Sequence, residues 1–233
     1  MEQDTALLVL ENLSIGYNTV LASEINAHVH PGEVIAVLGP SGIGKTTLVR
    51  TIAGLVEPID GDVDLKVEKR GGLGYIPQKL GLVRHASVYH NVNLGARASL
   101  PVFKGGSEER KRRVNSALVA LGIEEKTTEP VRRLSGGQLR RVATARALAQ
   151  RPSLLLADEF LSELDHNTVD VVIAAVKELL DAGTSIIMVE HHEENVALLA
   201  TRVWIIHGEK LYDFSVDEWK TIQIDHLPGG EEE

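Results

Sequence analysis

One segment of the chain combines glycine, lysine and threonine in an order that suits phosphate binding. Residues 39–46 read Gly-Pro-Ser-Gly-Ile-Gly-Lys-Thr and fit the pattern GxxxxGK[ST]. Glycines allow backbone conformations in which successive N–H groups point inward and bind phosphate oxygens. In such loops the lysine contacts the β- and γ-phosphates of a nucleotide, and the final hydroxyl binds Mg²⁺. We therefore predict a nucleotide-binding loop that comprises Gly39, Pro40, Ser41, Gly42, Ile43, Gly44, Lys45, Thr46 and Thr47.

The elements predicted around this loop are those that phosphate binding needs. Val34–Leu38 form a continuous apolar run, which is typical of a strand buried on both faces. Thr46–Ala53 has apolar residues at helical spacing, and Gly54 stands where such a helix would end. The N-terminus of this helix would add positive potential at the phosphates. A glycine-rich turn with a chance lysine is the alternative, and the strand–loop–helix context disfavours it.

Two carboxylates follow a second apolar strand. Leu154–Ala157 is the predicted strand, and Asp158 and Glu159 come directly after it. Asp158 can hold Mg²⁺ through water, whereas Glu159 can align and polarise an attacking water molecule. A solvated strand end is the alternative. Because the same chain has a phosphate-binding loop, we favour hydrolysis of a nucleotide phosphate.

A third segment completes a combination that is typical of one family. Residues 134–138 read Leu-Ser-Gly-Gly-Gln, near the start of a predicted helix and about 95 residues after the phosphate-binding loop. With this segment, the chain resembles the ATP-binding-cassette (ABC) ATPases over roughly residues 7–212. The resemblance implies that the nucleotide is ATP, that Mg²⁺ is the metal, and that the chain hydrolyses ATP. No Asn-Lys-x-Asp motif follows the phosphate-binding loop, which disfavours a GTPase.

The resemblance also assigns roles to single residues. Tyr17 lies where the family stacks an aromatic ring on adenine, and Gln78 matches the glutamine that senses Mg²⁺ and the attacking water. His191 matches the switch histidine that contacts the γ-phosphate, and Asp165 matches a loop that crosses between two nucleotide sites. Each residue has an alternative without a functional role. Tyr17 would pack in the core, Gln78 would be an ordinary surface residue, and His191 would be a polar residue at a strand end.

The Leu-Ser-Gly-Gly-Gln segment implies a second cassette subunit. A hydroxyl and backbone N–H groups at a helix start make an anion site, but this segment belongs to the predicted helical insertion. Members of the family solve this by head-to-tail dimerisation, in which each segment closes over the γ-phosphate bound by the other subunit. The partner is then an identical chain or a close paralogue, and the residues that bind its nucleotide are Ser135, Gly136, Gly137 and Gln138.

Three segments depart from the usual family pattern. Phe160-Leu161 stands where Pro-Thr is usual, and Glu190-His191-His192 stands where Thr-His-Asp is usual. Glu163 occupies a position where a small residue is common. None of these changes removes a group that the chemistry needs, although they bear on the position of the water and on the dimer interface.

Hydrophobic patterning predicts the fold. Residues 7–30 alternate with a period of two, as half-buried antiparallel strands do, and Leu73–Ile76, Ile186–Val189 and Val203–Ile206 are further predicted strands. We predict an α/β protein, a P-loop NTPase core of ABC type with an N-terminal antiparallel β-subdomain and an inserted α-helical subdomain. One domain would cover residues 1–225, with the core in 1–78 and 151–225, the helical subdomain in 79–150, and an acidic tail in 226–233.

Composition limits the environment and the partners. The 233 residues carry 24 basic and 33 acidic side chains, for a net charge of −9, which disfavours nucleic acid as a partner. Cysteine is absent, the first residues are acidic rather than basic, and no apolar run is long enough to cross a bilayer. We therefore expect a cytoplasmic chain, peripheral on the inner face of the cell membrane, whose transmembrane permease subunits are separate chains.

The main functional prediction is the ATP-hydrolysing subunit of a membrane transporter. A soluble ABC ATPase that acts on DNA or ribosomes is the alternative, and a non-hydrolysing regulatory cassette is a third. Residues 80–92 are similar to cassettes of phosphonate importers, whereas Leu-Ala-Asp-Glu is also common in lipoprotein-release and macrolide-efflux cassettes, so substrate and direction stay open. The permease would dock on apolar residues of this stretch, namely Leu80, Leu82, Val83, Val88, Tyr89 and Val92.

Overall fold

The computed structural model describes residues 6–100, 106–162, 164–222 and 227. Its strands are β1 (Leu8–Gly16), β2 (Val20–Val29), β3 (Val34–Leu38), β4 (Asp60–Leu65), β5 (Leu73–Ile76), β6 (Leu154–Asp158), β7 (Ser185–Val189), β8 (Arg202–His207) and β9 (Lys210–Ser215). Its helices are α1 (Lys45–Ile52), α2 (Val88–Ser99), α3 (Gly106–Ala120), α4 (Gly136–Gln150), α5 (His166–Asp181), α6 (Glu193–Leu199) and α7 (Val216–Trp219). The chain divides into two compact units.

The first unit contains the described residues of 1–66, 156–158 and 185–233. Three antiparallel strands in the order β2-β1-β4 form one sheet, as the period of two in the sequence predicts. In the second sheet, β6, β7, β3, β8 and β9 lie side by side in that order. Strand β3 pairs in parallel with both β7 and β8, and all five of its residues are buried. The strand before the phosphate-binding loop is therefore at the centre of a hydrophobic core.

The second unit contains the described residues of 67–155 and 159–184. Helix α4 is its central element, because it packs against α2, α3, α5 and β5. Eight of its fifteen residues are buried, and five of these are alanine or threonine, so that neighbouring helices can approach closely. The predicted helical character of the stretch between residues 79 and 150 is confirmed by α2, α3 and α4.

Helix α2 is an element that the sequence pattern did not predict. Ser87 caps it by accepting a hydrogen bond from the His90 N–H group, and Val88 and Val92 are fully buried one turn apart. A buried asparagine and a glycine interrupt its apolar face. A Cβ atom at Gly95 would lie 1.9 Å from the Arg146 carbonyl oxygen, so close helix packing requires glycine there.

The two compact units contain other sets of elements than the predicted core and helical subdomain. The second unit includes β5 and α5 in addition to the stretch predicted as the helical subdomain. The division into a core of 1–78 and 151–225 and an insertion of 79–150 stays a prediction. Apart from Leu227, the predicted tail at 226–233 lies outside the described residues, as does Glu163.

Candidate functional site

The phosphate-binding loop follows β3 in the first unit and leads into α1. Gly39 has a φ of +140°, and a Cβ atom there would lie 2.6 Å from the Ile206 carbonyl oxygen, so only glycine fits. Pro40, Ser41 and Gly42 are exposed, whereas Thr47 is buried within α1. The loop therefore presents its outer residues to solvent while its two ends are fixed by the core.

Lys45 lies against the loop that precedes it. Its Nζ donates hydrogen bonds to the carbonyl oxygens of Gly39 at 2.7 Å and Pro40 at 2.9 Å, and the residue is only 5% exposed. A buried ammonium needs such acceptors because it has lost its hydration. The positive charge is consequently held at the loop rather than in solvent.

Thr46 and Asp158 connect the phosphate-binding loop with the end of β6. The Thr46 hydroxyl donates a hydrogen bond to Oδ1 of Asp158 at 3.1 Å, and Asp158 is fully buried. Hydroxyl and carboxylate oxygens are the ligands that Mg²⁺ prefers. These two residues therefore fit the predicted magnesium site.

In the second unit, Gln78 and Glu159 are in direct contact. Gln78 follows β5, as predicted, and its Nε2 donates a hydrogen bond to Oε2 of Glu159 at 2.7 Å. Glu159 has a φ of +52°, in the left-handed region that residues with a Cβ atom seldom occupy. Such strain is common at functional positions, where surrounding contacts hold it.

His191 follows β7 in the first unit. Because β7 pairs in parallel with β3, His191 and the phosphate-binding loop follow neighbouring strands at the same edge of the sheet. The His191 side chain is exposed, and its backbone N–H donates to Oε2 of Glu190 at 3.2 Å. Glu190 is 2% exposed, and this burial raises the pKa of its carboxyl group, while donors that include the Asn195 side chain oppose the shift.

Tyr17 is exposed in the turn between β1 and β2. It is 60% exposed, which argues against core packing and suits an aromatic ring that stacks on a base. Arg50 on α1 donates a hydrogen bond to the Tyr17 hydroxyl at 3.5 Å. The ring is thereby connected to the helix that follows the phosphate-binding loop.

The Leu-Ser-Gly-Gly-Gln segment begins α4. Ser135 is the N-cap, and it forms a capping box with Gln138, whose Oε1 accepts the Ser135 N–H at 3.0 Å. Apart from the chain neighbours of Gly136 and the backbone of its own helix, no described atom lies within 4 Å of a Cβ atom built at Gly136, so tertiary packing among the described residues does not require glycine there. Asp165 caps α5, and the N–H and hydroxyl of Thr168 hold the pKa of its carboxyl below the usual range.

The ABC transporter family model matches residues 22–162, which is more than half of the chain. The chain belongs to the ABC transporter family. It is 32% identical over 245 residues to the phosphonates import ATP-binding protein PhnC of Escherichia coli O157:H7, covering 95% of this cassette and 94% of PhnC.

Other relatives are longer than this cassette. It is 36% identical over 226 residues to PhnT of Salmonella typhi, which carries the name of a 2-aminoethylphosphonate import ATP-binding protein. The match covers 89% of this cassette but only 60% of the length of PhnT. Among solved structures, cbiO1 of Clostridium perfringens has a TM-score of 0.77 and 29% identity, covering 93% of this cassette and 91% of that chain.

The predicted site residues fall into separate groups in the structure. The first unit brings together the phosphate-binding loop and Asp158, and the second brings together Gln78 and Glu159. The second group also includes Arg140, which donates to the Glu159 carbonyl oxygen and which the sequence did not identify. Its only signal in the sequence is its position next to Arg141, shortly after the Leu-Ser-Gly-Gly-Gln segment.

Proposed function

We propose that this cassette binds ATP with Mg²⁺, hydrolyses it, and thereby powers a membrane transporter. The observation that carries this proposal is the hydrogen bond between Thr46 and Asp158, which places a hydroxyl and a carboxylate at the start of the helix after a phosphate-binding loop. In a chance glycine-rich turn, we would not expect a hydrogen bond from the threonine to a buried carboxylate at the end of β6. The two residues would hold Mg²⁺, which when bound neutralises charge on the phosphates.

Each remaining group has a proposed part in the reaction. The loop N–H groups and Lys45 bind the phosphates, and the exposed ring of Tyr17 stacks on adenine, a contact of roughly 1–3 kcal/mol. Glu159 accepts a proton from the attacking water and orients it, with Gln78 as its hydrogen-bond partner. His191 would contact the γ-phosphate.

A dimer of cassettes is the proposed active form. Gly136 has open space where a side chain would stand, and the N–H groups at the start of α4 are suited to an anion. Both features support a close approach by the nucleotide of a second subunit to this segment. Asp165 would lie at the same interface, and its capping bonds to Thr168 would keep that loop in place.

The proposed permease contact is a groove of about 310 Å³ in the second unit. Leu80, Leu82 and the neighbouring Leu139 give it an apolar lining, and Lys79, Arg84 and Arg132 add positive charge. Val83 is exposed beside them, whereas Val88 and Val92 are buried within the unit and are unavailable for docking. The permease would insert a short helix between these side chains.

Hydrogen bonds to the backbone keep the groove in shape. Arg146 donates to the carbonyl oxygens of Leu80 and Gly81 at 2.9 and 2.8 Å. Buried Asn91 accepts the Val83 N–H at 2.7 Å and donates to the Val83 carbonyl oxygen at 3.2 Å. The conformation of this loop is therefore largely independent of the side chains at 82 and 83.

We propose import as the direction, because PhnC and PhnT are both named as import ATP-binding proteins. The cassette would then bind the cytoplasmic face of a permease. None of the helices in the described ranges is both long enough and apolar enough to cross a membrane.

Phosphate release and membrane recovery together test the proposal. The purified full chain should release phosphate from ATP with Mg²⁺ and stop when the metal is chelated, and in its source cells it should sediment with membranes. A chain that hydrolyses ATP but is never found on membranes would favour a soluble ABC ATPase. A chain without Mg²⁺-dependent hydrolysis, alone or on membranes, would favour a regulatory cassette.

A further inference from the structure

Arg140 binds the loop that begins at Glu159. Its Nη1 donates to the Glu159 carbonyl oxygen at 2.9 Å, and its Nη2 donates to the Ser162 hydroxyl at 3.1 Å. The Ser162 hydroxyl in turn donates to the same Glu159 carbonyl at 2.8 Å. The Ser162 backbone N–H also donates to this carbonyl oxygen, at 3.3 Å, so that the oxygen accepts three hydrogen bonds and the three residues form a closed ring of contacts.

These contacts explain how Glu159 keeps an unfavourable backbone conformation. With a φ of +52°, its Cβ atom is crowded against its own backbone, and a free chain would leave this region. The carbonyl group is fixed by Arg140 and Ser162, while the carboxylate is fixed by Gln78. The direction of the carboxylate thus depends on hydrogen bonds at both ends of the residue.

Arg140 also connects Glu159 with the start of α4. It lies four residues after Gly136, about one helical turn, and its side chain is buried. Neighbouring Arg141 points elsewhere and donates to the Gly122 carbonyl oxygen at 3.4 Å. A small rotation or shift of α4 would therefore move the donor on which the Glu159 backbone depends.

We infer that Arg140 is a positioning residue that holds Glu159 in the conformation needed for hydrolysis and makes that conformation depend on the position of α4. This inference rests on the proposed function of Glu159. In this role Arg140 acts through Glu159 and not on ATP. Its loss should lower the rate of hydrolysis while binding of ATP, which depends on the first unit, stays close to that of the wild type.

Substitutions on α4 test the inference in the full chain. Arg140→Met keeps an unbranched side chain of similar length but removes both hydrogen bonds, and Arg141→Met is the matched control on the same helix. We expect kcat to fall about 10-fold in Arg140→Met, since small misplacements of a reacting group have effects of this order, with KM for ATP within about twofold. Arg141→Met should keep a wild-type kcat.

Two further variants test the inference if Arg140→Met does not fold. Arg140→Lys can reach only one of the two acceptors and should give an intermediate kcat. Ser162→Ala removes the hydroxyl but keeps the hydrogen bond from Arg140 to the Glu159 carbonyl oxygen. It should therefore lower kcat less than Arg140→Met does. Thermal unfolding of each variant separates loss of fold from loss of rate, because a purely structural role would lower the midpoint without changing kcat of the folded protein.

Glu159→Gln, measured in parallel, separates the two proposals. If Glu159→Gln hydrolyses ATP normally, the proposed function of Glu159 is wrong. If Glu159→Gln is impaired but folded Arg140→Met or Arg140→Lys keeps the wild-type kcat, the positioning role of Arg140 is wrong. An equal loss of kcat in Arg141→Met would also overturn it, since the effect would then not depend on the contact with Glu159.

Discussion

Gln78 Nε2 and Glu159 Oε2 are 2.7 Å apart, although 81 residues separate them in the chain. An amide N–H that donates to a carboxylate favours its charged form and fixes one of its oxygens. Replacement of Glu159 by glutamine keeps an acceptor for this bond and removes the carboxylate, which is the basis of the first prediction.

Glu159→Gln should separate ATP binding from hydrolysis. Glutamine has nearly the same shape and still accepts the bond from Gln78, but it cannot take a proton from water. We expect ATP affinity close to wild type and turnover lower by about 100-fold or more, as measured by phosphate release and equilibrium titration. Normal turnover would exclude Glu159 as the general base.

Lys45→Ala should instead abolish ATP binding. The Lys45 ammonium is held at the loop by the carbonyl oxygens of Gly39 and Pro40, where it can make a charge-assisted bond to phosphate. Titration with a fluorescent ATP analogue should show the loss directly. The exposed lysine at position 79, replaced by alanine, is the control and should bind ATP as the wild type does.

Mg-ATP should convert the cassette from monomer to dimer when hydrolysis is blocked. Sedimentation of Glu159→Gln should show a monomer without nucleotide and a dimer with Mg-ATP. Gly136→Val should remain a monomer with Mg-ATP, because its side chain would occupy the space that the second subunit needs, while nothing in the described part of its own chain opposes it. A nucleotide-independent monomer in Glu159→Gln would contradict the dimer proposal.

Residues 80–84 form the proposed docking loop, and a charge on this loop should disrupt the complex with the permease without affecting the fold. Leu82→Asp and Val83→Asp leave the bonds from Arg146 and Asn91 in place, so we expect ATP hydrolysis by the isolated chain to continue. Both variants should fail to sediment with membranes. Val119→Asp is the control, since Val119 on α3 is 63% exposed and lies outside the groove. Membrane association of both docking-loop variants would place the permease elsewhere.

Glu190 should make the stability of the fold depend on pH. Burial raises the pKa of this carboxyl above its ordinary value of 4.5, so the folded state binds the proton more tightly than the unfolded state. The contribution of Glu190 to stability therefore falls as pH rises from about 4.5 through the higher pKa of the folded state. Glu190→Gln should unfold at a higher temperature than the wild type at pH 7.5, and the difference should shrink toward pH 4.5. A difference that does not change with pH would contradict this assignment.

Local patterns were sufficient to predict the strands and helices that hold the phosphate-binding loop. The apolar run of β3 and the alternation in β1 and β2 reflect burial on two faces and on one face, which the sequence displays directly. Helix α2 was missed because Asn91 and Gly95 interrupt the apolar pattern of its packed side. Asn91 binds the backbone of the preceding loop at Val83, and Gly95 allows close packing against α4.

In the candidate site, too, local patterns predicted single residues but not the contacts between them. Motifs predicted Gln78 and Glu159 individually and placed each after a strand, as the structure does. The hydrogen bond between them, the left-handed backbone of Glu159 and the support from Arg140 depend on contacts across more than fifteen residues of chain. No local pattern contains such information.

The docking loop has its backbone fixed by Asn91 and Arg146, neither of which contributes a side chain to the groove surface. This separates the residues that maintain the loop from those that a partner would recognise. With the proposed docking, substitutions at 82, 83 and 84 would alter the surface offered to a permease and leave the backbone contacts of the loop in place. The surface for a partner would then vary independently of the residues that bind ATP.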